Sequence, residues 1–329
     1  MASQRDVKNR ISSVKNIQKI TRAMEMVAAA RLRRAEQRIA SLRPYADAIR
    51  RMTRQAAEAA GAEASSLPLL VERETVENVG LLLITGDRGL AGGFNSQIIR
   101  AGIRAGTELQ EEGKQTVWYA TGRRGASSLT FRGRELTGTY TGFTDRPAYA
   151  DARSIADDLV TGYIDGKLDR VDILYNSYVS PLTQHVTRET LLPLSQATLT
   201  GGDDGADTGD ADASGGAAHG GDSSGGDARG GDAHGGSGAH AGPRALVEYE
   251  PGPEEILKRL IPDYVEISIY RALIESTAGF FGAQMTAMRS ASDNAGDIIT
   301  DLTLQMNRAR QAEITQEIME VVAGAEGLT

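Results

Sequence analysis

The stretch FGAQMTAMRSASDNAGDIITDLTLQMNRA, residues 281–309, decides the fold. Its core-type residues fall at Phe281, Met285, Met288, Ser292, Ala295, Ile299, Leu302, Met306 and Ala309. The steps alternate between four and three, which marks a coiled-coil seam. Past Ala309 the phase shifts, and Ile314, Ile318, Val321 and Val322 carry the apolar face. The pattern predicts a long helix opened by Pro262 and running to about Ala323, after a short helix over Glu254–Leu260 begun by Pro253. Such a helix is roughly 90 Å long at about 1.5 Å per residue. It is not stable alone in water, so it needs a partner. Ser292, Ala295 and Ala309 are small enough to admit a close partner backbone.

The partner is read at the other end of the chain. Residues 1–60 repeat apolar positions at three and four: Val7, Ile11, Val14, Ile17, Ile20, Met24, Val27, Leu32, Ala35, Ile39 and Leu42. Pro44 is expected to kink or divide this helix. The segment is strongly basic, with Arg31, Arg33, Arg34, Arg38, Arg43, Arg50, Arg51 and Arg54 among its cations. The C-terminal helix leans acidic, through Asp293, Asp297, Asp301, Glu313, Glu317 and Glu320. Opposite charges beside a seam favour pairing, although each exposed pair contributes little. The chain leaves along one helix and returns along the other, so the pair is antiparallel.

Between the helices the period changes. VGLLLIT (79–85) is a buried strand, TVWYAT (116–121) a second, LTGTYTGF (136–143) a third and VDILYNSYV (171–179) a fourth. QHVTRETLLPL (184–194) is an extended segment returning beside the fourth. Helices are expected from Phe94 to about Glu112 and over Ala150–Ile164. The fold class is therefore α/β plus a long antiparallel coiled coil, with the α/β domain at 76–196 inserted between the terminal helices. Segment 246–329 completes the coiled coil.

Residues 200–242 are almost wholly Gly, Asp, Ala, Ser and His. Eight aspartates against Arg229 give this insertion seven of the chain's eight net negative charges. It reads as a dispensable, solvated, disordered acidic linker, because it cannot bury enough apolar surface to fold. The chain has no cysteine, which excludes disulfides, thiol switches and thiolate metal sites. No apolar run is long enough to span a membrane, and MASQRDVKNR lacks the apolar core of a signal peptide.

Each candidate site in the sequence has a plainer reading. The glycines at 86, 89, 92 and 93 follow a strand and precede a helix, where phosphates often bind. Their spacing fits neither G-x-G-x-x-G nor the P-loop, and no lysine follows. A structural or protein-contact turn is the better reading. The basic N-terminal helix has Tyr45 as its single aromatic, so a partner-facing helix fits better than nucleic-acid binding. His219, His234 and His240 lie among aspartates and could hold a divalent ion weakly, but a solvated linker is the better reading. His185 is the one histidine elsewhere, and no nucleophile stands beside a base. Residues alone thus give a coiled-coil scaffold with an α/β domain.

Three motifs go further. SVKNIQKITRAMEMVAAARLRRA (13–35) and SDNAGDIITDLTLQMNRARQAEITQEIMEVVAGA (292–325) closely resemble the end signatures of the gamma subunit family of F-type, proton-transporting ATP synthases. TGDRGLAGGFN (85–95) resembles that family's middle-domain loop. The resemblance covers nearly the whole chain outside the linker. It implies a Rossmann-like inserted domain and a rotor, one copy per complex, peripheral to the cytoplasmic face of the bacterial inner membrane. The coiled coil would stand inside a hexamer of alpha and beta subunits. The α/β domain and foot would rest on the c-ring beside the epsilon subunit. Catalysis would lie on beta, so no catalytic residue, cofactor, metal or nucleic acid is expected here. By the same resemblance, Arg310, Gln311 and Thr315 would contact beta and alpha. Met24, Arg31, Arg33 and Arg34 would face an acidic lever loop of beta, with Asp87 and Arg88 near it. Val321 and Val322 would turn inside the apolar sleeve of the hexamer. The chain departs from the family at Met306, where a tyrosine is usual, and at Gly279, Phe280 and Gln284. Photosynthetic members carry an insertion with a cysteine pair, and thiol control of that kind is excluded here. A V/A-type central stalk, the nearest rival, lacks an inserted α/β domain. An enzyme built on the α/β domain would instead bind nucleotide, and a nucleic-acid-binding coiled coil would bind DNA in a salt-sensitive way.

Overall fold

The computed structural model describes residues 4–61, 67–194 and 252–326. The acidic insertion expected at 200–242 lies outside the described residues. Helix α1 spans Gln4–Ala60 and packs along helix α5, which spans Pro253–Glu326. At 74 residues α5 is roughly 110 Å long.

The α1 seam is a strict heptad. Val7, Ile11, Val14, Gln18, Thr21, Glu25, Ala28, Leu32, Ala35, Ile39 and Leu42 are all buried or half-buried. The rhythm continues through Ala46, Ile49, Thr53, Ala56 and Ala60. This corrects the sequence reading at Ile17, Ile20 and Val27, which are 54%, 59% and 53% exposed. Apolar residues occupy two faces of α1 here, and the more polar face is the one turned inward. The partner explains the choice. Gln18 Nε2 donates to the Ser292 carbonyl at 3.3 Å, and Arg289 Nε donates to Glu25 at 2.9 Å. On α5 the predicted seam from Phe281 to Ala309 is buried or half-buried throughout. Val7 and Ile11 cluster with Leu302, flanked by Val14, Ile299 and Met306, so the helices are antiparallel.

Neither proline divides its helix. Pro44 is exposed, and α1 runs unbroken through it. Leu42, Ala46 and Ile49 pack on either side and hold the helix together. Pro262 lies inside α5 rather than at its start, so the short helix and the long one are one element. Leu257, Leu260, Ile261 and Val265 are buried in one core that spans the proline.

The inserted layer contains β1 (Asn78–Ile84), α2 (Phe94–Glu111), β2 (Gln115–Thr121), α3 (Arg123–Phe131) and β3 (Leu136–Tyr140). It continues with α4 (Tyr149–Ile164), β4 (Arg170–Tyr178) and β5 (Gln184–Leu192). The sheet order is β3-β2-β1-β4-β5. The first four strands are parallel and β5 is antiparallel to β4. β1 reads as a continuous apolar run because both faces are covered. Leu81 and Leu83 meet α2 and α3, while Leu82 and Ile84 meet α4 and the lower part of α5. Asp172, fully buried on β4, is gripped by Arg170 at 2.8 and 2.9 Å and by Arg188 at 2.8 and 3.0 Å. That pairing compensates the buried charge and ties β5 to the sheet.

One carboxylate at the α5–sheet contact is less well placed. Burial pushes the Glu275 carboxyl above its ordinary value of 4.5, against the opposing pull of Arg271 and of bonds from Ser177 and Tyr178. A raised folded-state pKa means that ionised Glu275 subtracts from stability at neutral pH. Glu275→Gln is therefore expected to raise the unfolding midpoint at pH 7. The gain should fade as pH falls through the raised folded-state pKa and be nearly gone below 4.5, where folded and unfolded wild type both carry the proton. Thermal melts at pH 7 and pH 4 compare the two.

Candidate interaction surface

The glycine loop is a bracket on the shaft. The Asp87 carboxylate accepts bonds from the Gly142 amide at 2.9 Å, the Arg123 amide at 3.1 Å and the Thr144 hydroxyl at 2.8 Å. Burial pushes its carboxyl up, but these bonds outweigh burial and hold it below the ordinary range. Asn95 closes the loop, accepting from the Gly86 amide at 2.8 Å and donating to the Arg88 carbonyl at 3.1 Å. Open α/β sheets take ligands at the carboxyl ends of their strands, where the strand order reverses. Here α5 fills that crevice. Ser276, Thr277 and Phe280 close over Thr85, Gly86 and Phe94, leaving a cavity of about 10 Å³. A Cβ on Gly86 would stand 3.0 Å from the Phe280 ring, so glycine permits the close approach.

What the loop presents outward is Leu90, 63% exposed and held at a φ of 65°. A leucine in the left-handed region is strained and marks a special position. Sequence reasoning singled out Asp87 and Arg88 instead, because charge is visible in a sequence and backbone strain is not. Val179 and Leu182, on the β4–β5 hairpin, are also exposed, and Pro181 of that hairpin packs under Gly282. Gly92 approaches Ala287. Both loops therefore reach the shaft at the level of residues 282–287 and form a collar around it.

The expected contact residues fall at three levels. At the collar, Arg31 turns toward its own chain: it bonds Asp145 at 3.2 Å and lies 5.5 Å from the Phe281 ring centre. Arg88 meets the same carboxylate at 3.5 Å. Arg33 and Arg34 are exposed, and Met24 is half-buried. On the bare two-helix shaft above, Ile17, Ile20, Met26 and Val27 face outward. At the tip no other described element runs beside α5, since the described part of α1 starts at Gln4, level with about residue 309. Arg310, Gln311 and Thr315 are exposed there, and the Thr315 hydroxyl bonds only back to the Gln311 carbonyl at 2.8 Å. Ile314, Ile318, Met319 and Val321 are exposed on this lone stretch, and Val322 follows in the same helix. An apolar stripe at helical spacing on an unpaired helix calls for a partner. The structure does not gather these residues into one pocket; it strings them along a single axis.

The family model described as ATP synthase matches residues 3–328. The ATP synthase gamma chain of Rubrobacter xylanophilus is 39% identical over 328 residues, covering 100% of this chain and 99% of that one. The gamma chain of Frankia casuarinae is 40% identical over 334 residues, covering 100% and 99%. Among solved structures, a chain of the Euglena gracilis mitochondrial ATP synthase aligns with a TM-score of 0.61 at 14% identity, over 99% of this chain and 94% of that one. A chain of the Tetrahymena thermophila mitochondrial ATP synthase, described as central stalk and c-ring, aligns at 0.55 and 21% identity, over 83% and 99%. These two likenesses concern the fold, whereas the full-length identities and the family match concern descent: the chain belongs to the gamma chain family of F-type ATP synthases.

Proposed function

We propose that the chain is the central-stalk rotor of an F-type ATP synthase. It couples rotation of the c-ring, driven by protons, to conformational change at the catalytic beta subunits. The observation that carries this is the tip: among the described residues α5 outruns α1 and projects roughly 25 Å as a single helix with Ile314, Ile318 and Val321 exposed. A two-helix shaft ending in one helix has no rotational symmetry, so each orientation presents a different face to the surrounding subunits. Arg310, Gln311 and Thr315 stand where the lone helix begins and serve as its polar contacts with beta and alpha. The arginine fork suits a carboxylate partner. Met24, Arg33 and Arg34 face the beta lever from the shaft. Asp87 and Arg88 hold the loop that presents Leu90 to it. Val321 and Val322 turn in the sleeve. The α/β domain and foot meet epsilon and the c-ring. Catalysis belongs to beta, and this chain supplies no catalytic group.

Among the described residues no helix is long and apolar enough to cross a membrane. Attachment is through the ring, as a peripheral subunit on the cytoplasmic face of a bacterial inner membrane. The cysteine-free chain permits a clean test. A single cysteine in Ile318→Cys should react quickly with a maleimide in the isolated chain. In the assembled complex the reaction should slow by about tenfold or more, as for a group enclosed by an interface core. Equal rates in both states would count against enclosure of the tip.

A further inference from the structure

Positions flanking a coiled-coil seam ordinarily address the partner helix. In α1 the seam residues Ala28, Leu32 and Ala35 leave Arg31 and Glu36 as flanking positions, one on each side. Neither is bonded to α5 charge. Arg31 Nη1 donates to Asp145 Oδ2 at 3.2 Å, in the connection between β3 and α4. Tyr178 Oη, from the last residue of β4, donates to Glu36 Oε1 at 2.6 Å. Burial and the Glu36 bond push the Tyr178 phenol up, so it stays a neutral donor. Two separate parts of the inserted domain thus hold α1 from opposite sides.

Just above this level the seam is weak. Gln18, Glu25 and Ser292 take seam positions in place of apolar residues and, with the flanking Arg289, border an open groove of about 470 Å³. A polar, loosely packed layer resists turning of one helix against the other less than interdigitated apolar layers do. We infer that Glu36–Tyr178 and Arg31–Asp145 form a clamp that fixes α1 about its own axis where the α/β domain ends and the bare shaft begins. Torque entering the domain then reaches α1 through two directional bonds as well as through the apolar cores that Leu32, Ala35 and Ile49 share with the domain. The inference rests on the rotor reading above and adds to it the residues that carry load into α1.

The test uses the whole membrane complex in inverted vesicles, measuring ATP hydrolysis and ATP-driven proton uptake together. Tyr178→Phe deletes one hydroxyl and keeps the ring. Asp145→Asn removes the charge that Arg31 grips. Proton uptake per ATP hydrolysed should fall about twofold in Tyr178→Phe and about fivefold in the double variant, the scale of one and of two weakened hydrogen bonds. Hydrolysis itself should not fall. Glu36→Gln keeps an acceptor for the Tyr178 hydroxyl and should couple like wild type. An assembled double variant with the wild-type ratio would overturn the clamp. So would a Glu36→Gln complex as poorly coupled as the double variant. If the double variant does not assemble, Tyr178→Phe alone decides, and a wild-type ratio there overturns the clamp. A wild-type complex that hydrolyses ATP without pumping would instead overturn the rotor reading.

Discussion

Gly122→Ala is expected to destabilise the chain by roughly 3–5 kcal/mol, the sum of a forbidden backbone conformation and a steric clash. Gly122 joins β2 to α3 with φ 83° and ψ 140°, a region open almost only to glycine. An added Cβ would stand 2.3 Å from the Thr85 carbonyl oxygen and 2.8 Å from the Gly86 carbonyl carbon. Both are backbone atoms, so no side chain can swing aside. The same place is where the glycine loop is anchored. Thr85 Oγ1 donates to the Thr121 carbonyl at 2.6 Å and accepts from the Gly125 amide at 2.9 Å. The Arg124 amide donates to the Gly86 carbonyl at 3.2 Å. Displacing Gly122 therefore displaces the bracket that grips α5. Gly133→Ala is the control, with φ 72° and nothing within 4 Å of the added carbon. It should cost only about 1–2 kcal/mol. Urea unfolding of the two variants compares them, and equal losses would mean that the clash at Thr85 is not what matters.

The second large effect is expected at the joint between shaft and domain. Phe281 is 2% exposed and packs edge-on to Phe280 with ring centres 5.5 Å apart. Phe280 in turn packs on Phe94 at 5.5 Å, at the start of α2. Arg31 lies over the Phe281 ring, 5.5 Å from its centre. One aromatic stack thus links α1, α5 and the inserted domain. Phe281→Ala leaves a cavity there and should cost about 3–5 kcal/mol. Phe131→Ala removes the same side chain from a site that is 92% exposed, and should change stability by less than about 0.5 kcal/mol. Chemical denaturation of both variants checks the contrast. A Phe281→Ala loss as small as that at Phe131 would mean that the joint is held elsewhere.

These residues also show what could be read from the sequence. The α5 seam was legible because one apolar stripe repeats against acidic and small residues, and burial follows it from Phe281 to Ala309. On α1 the same method chose Ile17, Ile20 and Val27, because hydrophobicity cannot tell an inward stripe from one kept outside for another subunit. The heptad through Gln18, Thr21 and Glu25 emerges only when the partner's Arg289 and Ser292 are in view. The strands were legible from β1 onward, since a run such as VGLLLI has few other uses. Continuity through Pro262 was not, because buried neighbours on either side override a local breaker. At the candidate site, the resemblance named positions along the shaft. It could not foresee that Asp87 is an internal anchor or that Arg31 turns to Asp145. Those bonds join residues 57 and 114 positions apart, and nothing local announces them.

As a rotor, this chain should turn within its complex. The most direct test fixes the alpha and beta hexamer to a surface and attaches a bead to a single cysteine in Phe131→Cys, on the exposed flank of the α/β domain. With ATP supplied, the bead should rotate in one direction, with one dwell for each beta subunit in every turn. A bead that only fluctuates in place while the same complex hydrolyses ATP would contradict the rotor reading.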